Sequence, residues 1–253
     1  MTRPIDDDRL LDVLEAETLL LADVAAAADQ DRPVPACPGL TAGETARHVG
    51  SVQRMVLSWI RTGSRPLNWE REPDEGEPVA DWLRDGLRAL LGELAAHAPD
   101  RACPTWHPGQ RTYRFWRRRM AHEATVHRVD VQSAATAGGH DPVDPAVALD
   151  GIDEVLTAWF TQRLSELGVA GTREAAVLVR AGDQAWLAEM FLDRTSAQRV
   201  PAGTEHPTAV IAPPEALYLW LWGRSAVFDR DVVRTGDEDA IAQLWALLRL
   251  ATR

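Results

Sequence analysis

Glu123 and His127 stand four residues apart in the segment FWRRRMAHEATVHRVDVQSA. In a helix turning about 100° per residue, that spacing stacks the two side chains on one face, about 5–6 Å apart at Cβ. A carboxylate and an imidazole so placed can share one metal ion. With Trp116 at the origin of the wheel, Met120, Glu123, His127, Val131 and Ala134 fall within about 60° of it, forming the stripe expected to face a core. His122 points about 120° away and is not expected as a third ligand. His48 is the better partner, because His48, Val52, Met55 and Trp59 make a similar stripe on an earlier helix. Two imidazoles and one carboxylate leave a coordination position for water or substrate, the arrangement of a catalytic zinc. Asp130, about 40° from the stripe, is placed to orient a ligand imidazole, and Arg119, about 60° off on the same side, to hold an anionic group.

Each feature has a plainer interpretation. An inward histidine is commonly a hydrogen-bonded core residue, and a Glu–His pair at this spacing can be a helical pair without metal. Three polar side chains on two inward stripes favour a shared site, because a buried carboxylate needs compensation. Arg111, Arg114 and Arg118 fall on the opposite face and are expected to be solvated. His97, His107, His140 and His206, in loops or at helix ends, are expected to be exposed. Cys37 and Cys103 each precede a proline in a loop, away from the ligand-bearing stripes.

The elements that must position these residues follow from the chain's punctuation. Helices are expected over about Arg9–Ala28, from Thr41 to about Arg61, over Val79–Ala98 and over Arg111–Ala135. Thr41 with Glu44 three residues on is a capping-box signature. A loop rich in Gly, Pro and acidic residues covers about Thr62–Pro78. Four helices of this length suggest a bundle. TAGGHDPVDP reads as a linker, which divides the chain into residues 1–140 and 141–253. Beyond it come a helix over Ala146–Leu167 and a hairpin made by AAVLVRA and QAWLAEMF around Gly-Asp. The strand TAVIA, a proline-initiated helix in PPEALYLWLWGR and a last helix from near Asp237 follow. The expected fold class is therefore α+β: a four-helix bundle, then a smaller α/β domain.

All 27 basic side chains are arginine, which removes lysine Schiff bases, P-loop lysines and lysine general bases. The formal charge of −11 disfavours a nucleic-acid partner. No apolar stretch is long enough to span a membrane, and the acidic N-terminus lacks the core of a signal peptide. Two cysteines make no disulfide framework, so a cytoplasmic location is expected.

CPGLTAGETARHVG resembles the first signature of the mycothiol-dependent maleylpyruvate isomerase family, and FWRRRMAHEATVHRVD resembles the second. ALDGIDEVL and LWLWGR resemble its C-terminal domain. Leu40 stands where that family commonly has tryptophan, and Glu44-Thr45 replaces its usual Asp-Leu. The resemblance implies a DinB-like four-helix bundle holding a divalent metal, usually zinc, at His48, Glu123 and His127. It also implies a C-terminal domain whose Arg224 reaches the active site to bind a substrate carboxylate, with Arg119 as a helper. The implied cosubstrate is mycothiol or another small thiol, and the implied activity is isomerisation or S-transfer on a small electrophile. The expected state is a monomer or weak homodimer. The family is centred on actinobacteria, whose GC-rich coding replaces lysine with arginine. The same residues also permit hydrolysis by a metal-activated water, or a binding module without turnover.

Overall fold

A computed structural model describes residues 5–136 and 138–252. It divides into two compact units, the first Ile5–Asp141 and the second from Pro142 onward.

The first unit is a bundle of α1 (Asp7–Ala27), α2 (Ala42–Thr62), α3 (Val79–Ala95) and α4 (Tyr113–Ala135). Their starts follow local chemistry. Asp6 caps α1 by accepting from the Arg9 amide at 2.9 Å. Thr41 and Glu44 form the anticipated capping box at α2: the Glu44 amide donates to Thr41 Oγ1 at 3.2 Å, and the Thr41 amide donates to Glu44 Oε2 at 2.7 Å. Helices α3 and α4 are slightly shorter than expected, because the backbone turns at Ala96 and Thr112.

Two apolar clusters fill the bundle. Leu10, Leu14, Val56, Ile60, Leu90, Trp116 and Met120 belong to one; Leu21, Ala25, Ala46, Val49, Leu83, Val131 and Ala134 belong to the other. On α4 the first cluster ends at Ala124 and the second begins at Val131, so His127 falls between them and Glu123 at the end of the first.

The single apolar stripe expected for α4 is an incomplete description. Seventeen of its 23 residues are buried, because α4 packs against α1 as well as α2. Arg117 and Arg128, which a one-sided wheel would send to solvent, face α1. Arg117 donates to the carbonyls of Leu94 and His97 at 3.1 and 2.8 Å and pairs with Asp8. Arg128 donates to Glu17 Oε2 at 2.6 Å, Gln132 Oε1 at 2.8 Å and the Asp141 carbonyl at 2.6 Å. The stripe expected for α2 is also displaced. Val49, Gln53, Val56 and Ile60 are its buried face, whereas His48, Val52, Met55 and Trp59 lie along its half-buried edge.

The second unit carries a five-stranded sheet in the order β3-β2-β1-β4-β5. Its strands are β1 (Ala175–Ala181), β2 (Gln184–Met190), β3 (Thr195–Val200), β4 (Ala209–Ala212) and β5 (Val233–Thr235). All neighbours are antiparallel except β1 and β4. The hairpin turns at Gly182-Asp183, with Gly182 at φ +57°. β3 and β5 were not anticipated: TSAQRV has little apolar alternation, and VRT is only three residues long. The helix expected over Ala146–Leu167 is present as α5 (Pro145–Glu154), a π-helical stretch (Val155–Arg163) and α6 (Leu164–Leu167). α7 (Pro214–Leu221) and α8 (Glu238–Ala251) complete the unit, α8 being capped by Asp237.

Gly50 sets how closely α2 and α3 approach. A Cβ there would stand 2.2 Å from the buried ring of Trp82, which is covered on one face by Arg54 at 3.9 Å. Gly50→Ala should therefore force the two helices apart and cost about 1–3 kcal/mol, read as a lower denaturant midpoint with the slope unchanged. An unchanged midpoint would show that the ring has room to move.

Candidate metal centre

The capped start of α2 places His48 in its second turn, and α4 carries Arg119, Glu123 and His127 as a ladder at four-residue spacing. Glu123 Oε1 lies 3.2 Å from His48 Nε2 and 3.4 Å from His127 Nε2. One donor atom from each of these three residues lies within 4.8 Å of the others, the one such group of three among the described residues. The rings of His48 and His127 are 5.1 Å apart. Glu123 Oε2 accepts from Arg119 Nη2 at 3.1 Å, and Asp130 Oδ2 accepts from His127 Nδ1 at 2.9 Å.

This donor set fits a zinc-like ion: two imidazole nitrogens and a carboxylate oxygen, converging from two facing helices. The Asp130 contact occupies the outer nitrogen of His127 and leaves Nε2 aimed inward, the usual arrangement behind a ligand histidine. His48 is 37% exposed at the side chain, so the cluster opens along the edge of α2 rather than lying sealed in the core as expected.

The charges are coupled. Burial opposes ionisation of Glu123, yet His127, His48 and Arg119 hold its pKa well below the usual carboxylate value. Burial likewise opposes charging His127, yet the Glu123 and Asp130 carboxylates raise it to about 9.

Arg119 is 5% exposed, with Nη2 on Glu123. Arg224 belongs to the second unit, just beyond α7. Its amide donates to the Leu219 carbonyl at 2.7 Å and its Nη1 to the Trp222 carbonyl at 2.7 Å. Trp116 is buried in the bundle core, with Nε1 on the Pro104 carbonyl at 2.8 Å, and Trp59 packs 5.5 Å from it. Trp69, from the loop after α2, meets the His48 ring edge-on at 5.9 Å. A cleft of about 260 Å³ beside it is lined by Trp69, Arg54, Met55, Arg71 and Trp82.

Some of these contacts had no signal in the sequence. Cys37 lies in a turn where Gly39 takes φ +96° and the Leu40 amide donates to the Cys37 carbonyl at 3.0 Å. This turn sets Cys37 Sγ 3.7 Å from Asp130 Oδ2, behind His127. Trp69 sits in a loop without periodicity. Cys103 is buried, and burial pushes its thiol up to about 11. Arg111 and Arg114 are exposed as expected and Arg118 is half-buried. His97, His107, His140 and His206, expected to be exposed, are half-buried and held by local contacts, among them His97 on Glu93 and His206 on the Thr208 amide.

A bundle presenting two histidines and a carboxylate, followed by a mixed-sheet unit, defines a two-part architecture with a candidate metal centre in its helical part. The family model for the mycothiol maleylpyruvate isomerase N-terminal domain matches residues 11–132, and that for the MDMPI C-terminal domain matches residues 146–243. The chain belongs to the mycothiol maleylpyruvate isomerase family. It is similar in fold to the crystal structure of the mycothiol-dependent maleylpyruvate isomerase, with a TM-score of 0.59, 13% identity, and 91% of this chain and 93% of that one covered. A histidine-to-alanine variant of that enzyme matches with the same TM-score and coverage at 12% identity. No curated protein is a significant match in sequence.

Two measurements follow. The raised pKa of His127 means that its protonation stabilises the metal-free fold fully below its ordinary value of 6.5, and that this contribution is lost as pH rises through about 9. The melting temperature of metal-free protein should fall across that window, and His127→Gln should flatten the decline; equal declines in both would remove His127 as the cause. Asp130→Asn should weaken zinc binding about 10–100-fold by releasing His127, as chelator competition would detect.

Proposed function

We propose that this protein is a metal- and thiol-dependent isomerase or S-transferase acting on a small, carboxylate-bearing electrophile, with His48, Glu123 and His127 as ligands to one divalent ion, zinc by preference. The observation that carries this reading is the convergence of both imidazole Nε2 atoms on Glu123 Oε1. Family membership supplies the reaction class and mycothiol, or a similar small thiol, as cosubstrate.

A bound ion would supply Lewis-acid chemistry, lowering the pKa of the thiol so that thiolate forms near neutral pH. The chain's own residues prepare that site. Asp130 fixes the ring of His127, Arg119 engages the outer oxygen of Glu123, and the exposed edge of α2 leaves His48 accessible from solvent. In the proposed reaction the external thiolate adds to a cis double bond conjugated to a carbonyl, and the electron pair moves onto that carbonyl. The carbon–carbon bond, now single, rotates; the C–S bond then breaks, returning the thiolate and a trans product. A transferase would retain the C–S bond and protonate the carbon. Arg224 is assigned to the substrate carboxylate, which a guanidinium can bind by two parallel hydrogen bonds. The absence of lysine leaves arginine and histidine as the only cationic side chains for that task.

Zinc-loaded protein assayed with maleylpyruvate should turn over only when mycothiol is added, and chelation should abolish the activity. Turnover without any thiol would contradict this and favour hydrolysis by a metal-activated water. Arg224→Ala should retain its metal yet lose about 10- to 150-fold in kcat/KM, the worth of a hydrogen bond to a charged group. Full activity in that variant would remove Arg224 from the mechanism.

A further inference from the structure

The two oxygens of Glu123 have different surroundings. Oε1 faces both histidine Nε2 atoms, at 3.2 and 3.4 Å. Oε2 accepts from Arg119 Nη2 at 3.1 Å. Arg119 is 5% exposed and lies one helical turn before Glu123 on the same rigid helix, so the contact is built into α4 rather than made by a mobile surface chain. A carboxylate can bind a cation through one oxygen or through both. Which mode it adopts depends on what else holds the second oxygen.

We propose that Arg119 is a positioning residue that restricts Glu123 to ligation through Oε1 alone, keeping a coordination position open for the cosubstrate. This inference rests on the metal assignment above. It departs from the role that spacing alone suggested for Arg119, which was to hold an anion supplied by substrate or cosubstrate. Holding Oε2 gives the cluster three ligand atoms, the number that leaves a tetrahedral ion one exchangeable position. Released from Arg119, Glu123 is free to turn and bring Oε2 to the ion beside the exchangeable ligand, raising the coordination number to five and crowding the incoming thiol. A charge-assisted contact of this kind is strong enough to decide between the two modes. Arg119 also offsets the negative charge that Glu123 carries into the bundle, and its pKa effect on Glu123 has the same sign.

The test is a crystal structure of the zinc-loaded wild type together with cobalt-substituted spectra. The inference expects Glu123 bound through one oxygen, with Oε2 on Arg119; a bidentate Glu123 overturns it. Cobalt-substituted wild type should show the intense visible bands of a four-coordinate ion. Arg119→Gln should lose most of that intensity as coordination rises, and Arg119→Lys, which keeps a donor, should restore it. Bands unchanged in Arg119→Gln, with a raised KM for substrate or thiol, would assign Arg119 to anion binding instead and overturn the proposal. A wild type that takes up neither zinc nor cobalt refutes the metal assignment itself, a result distinct from either outcome for Arg119. The wild-type crystal structure decides the matter even if a variant does not fold.

Discussion

One carboxylate governs the bundle. Glu123 sits where the first apolar cluster ends on α4, and an uncompensated charge there is costly. His48, His127 and Arg119 surround it and hold it ionised. His48 comes from α2 and the other partners from α4, so its contact with Glu123 also ties the two helices together. The close approach of α2 to α3 at Gly50, the capping box at Thr41 and the Cys37 turn behind Asp130 all constrain the position of His48 or the elements around it.

Helix α4 has two faces of different use. Toward α2 it offers the ladder Arg119, Glu123 and His127; toward α1 it offers Arg117 and Arg128, which are structural ties to Asp8, Glu17 and the carbonyls at the end of α3. In a chain whose basic residues are all arginine, guanidinium groups therefore serve three purposes: solvated surface charge, buried cross-links and the control of a carboxylate. Arg224 is proposed for a fourth, the binding of substrate.

The convergence of His48, Glu123 and His127 was legible in the sequence because it depends on one local rule, the four-residue spacing that stacks Glu123 on His127, and on a histidine in a capped helix. The bundle and the hairpin were legible for the same reason: their periodicity is strong and their ends are marked by Thr41, Pro99 and Gly182-Asp183. The buried roles of Arg117 and Arg128 were not, because a wheel with one apolar stripe assigns the opposite face to solvent and does not see α1. The exposed edge position of His48 was shifted for a related reason, since α2 buries Val49 and Val56 and turns His48 outward by part of a turn. β3 and β5 escaped notice because an edge strand rich in polar residues, or only three residues long, carries no period. The contacts of Cys37 and Trp69 come from loops and follow from tertiary closure alone.

The proposed chemistry stands on one divalent ion held by His48, Glu123 and His127. Metal analysis of protein purified without chelators tests it most directly. One zinc-like ion per chain is expected in the wild type and none in His48→Ala, with the helical content of the variant retained. A folded wild type free of metal, and unable to take up zinc on titration, would contradict it.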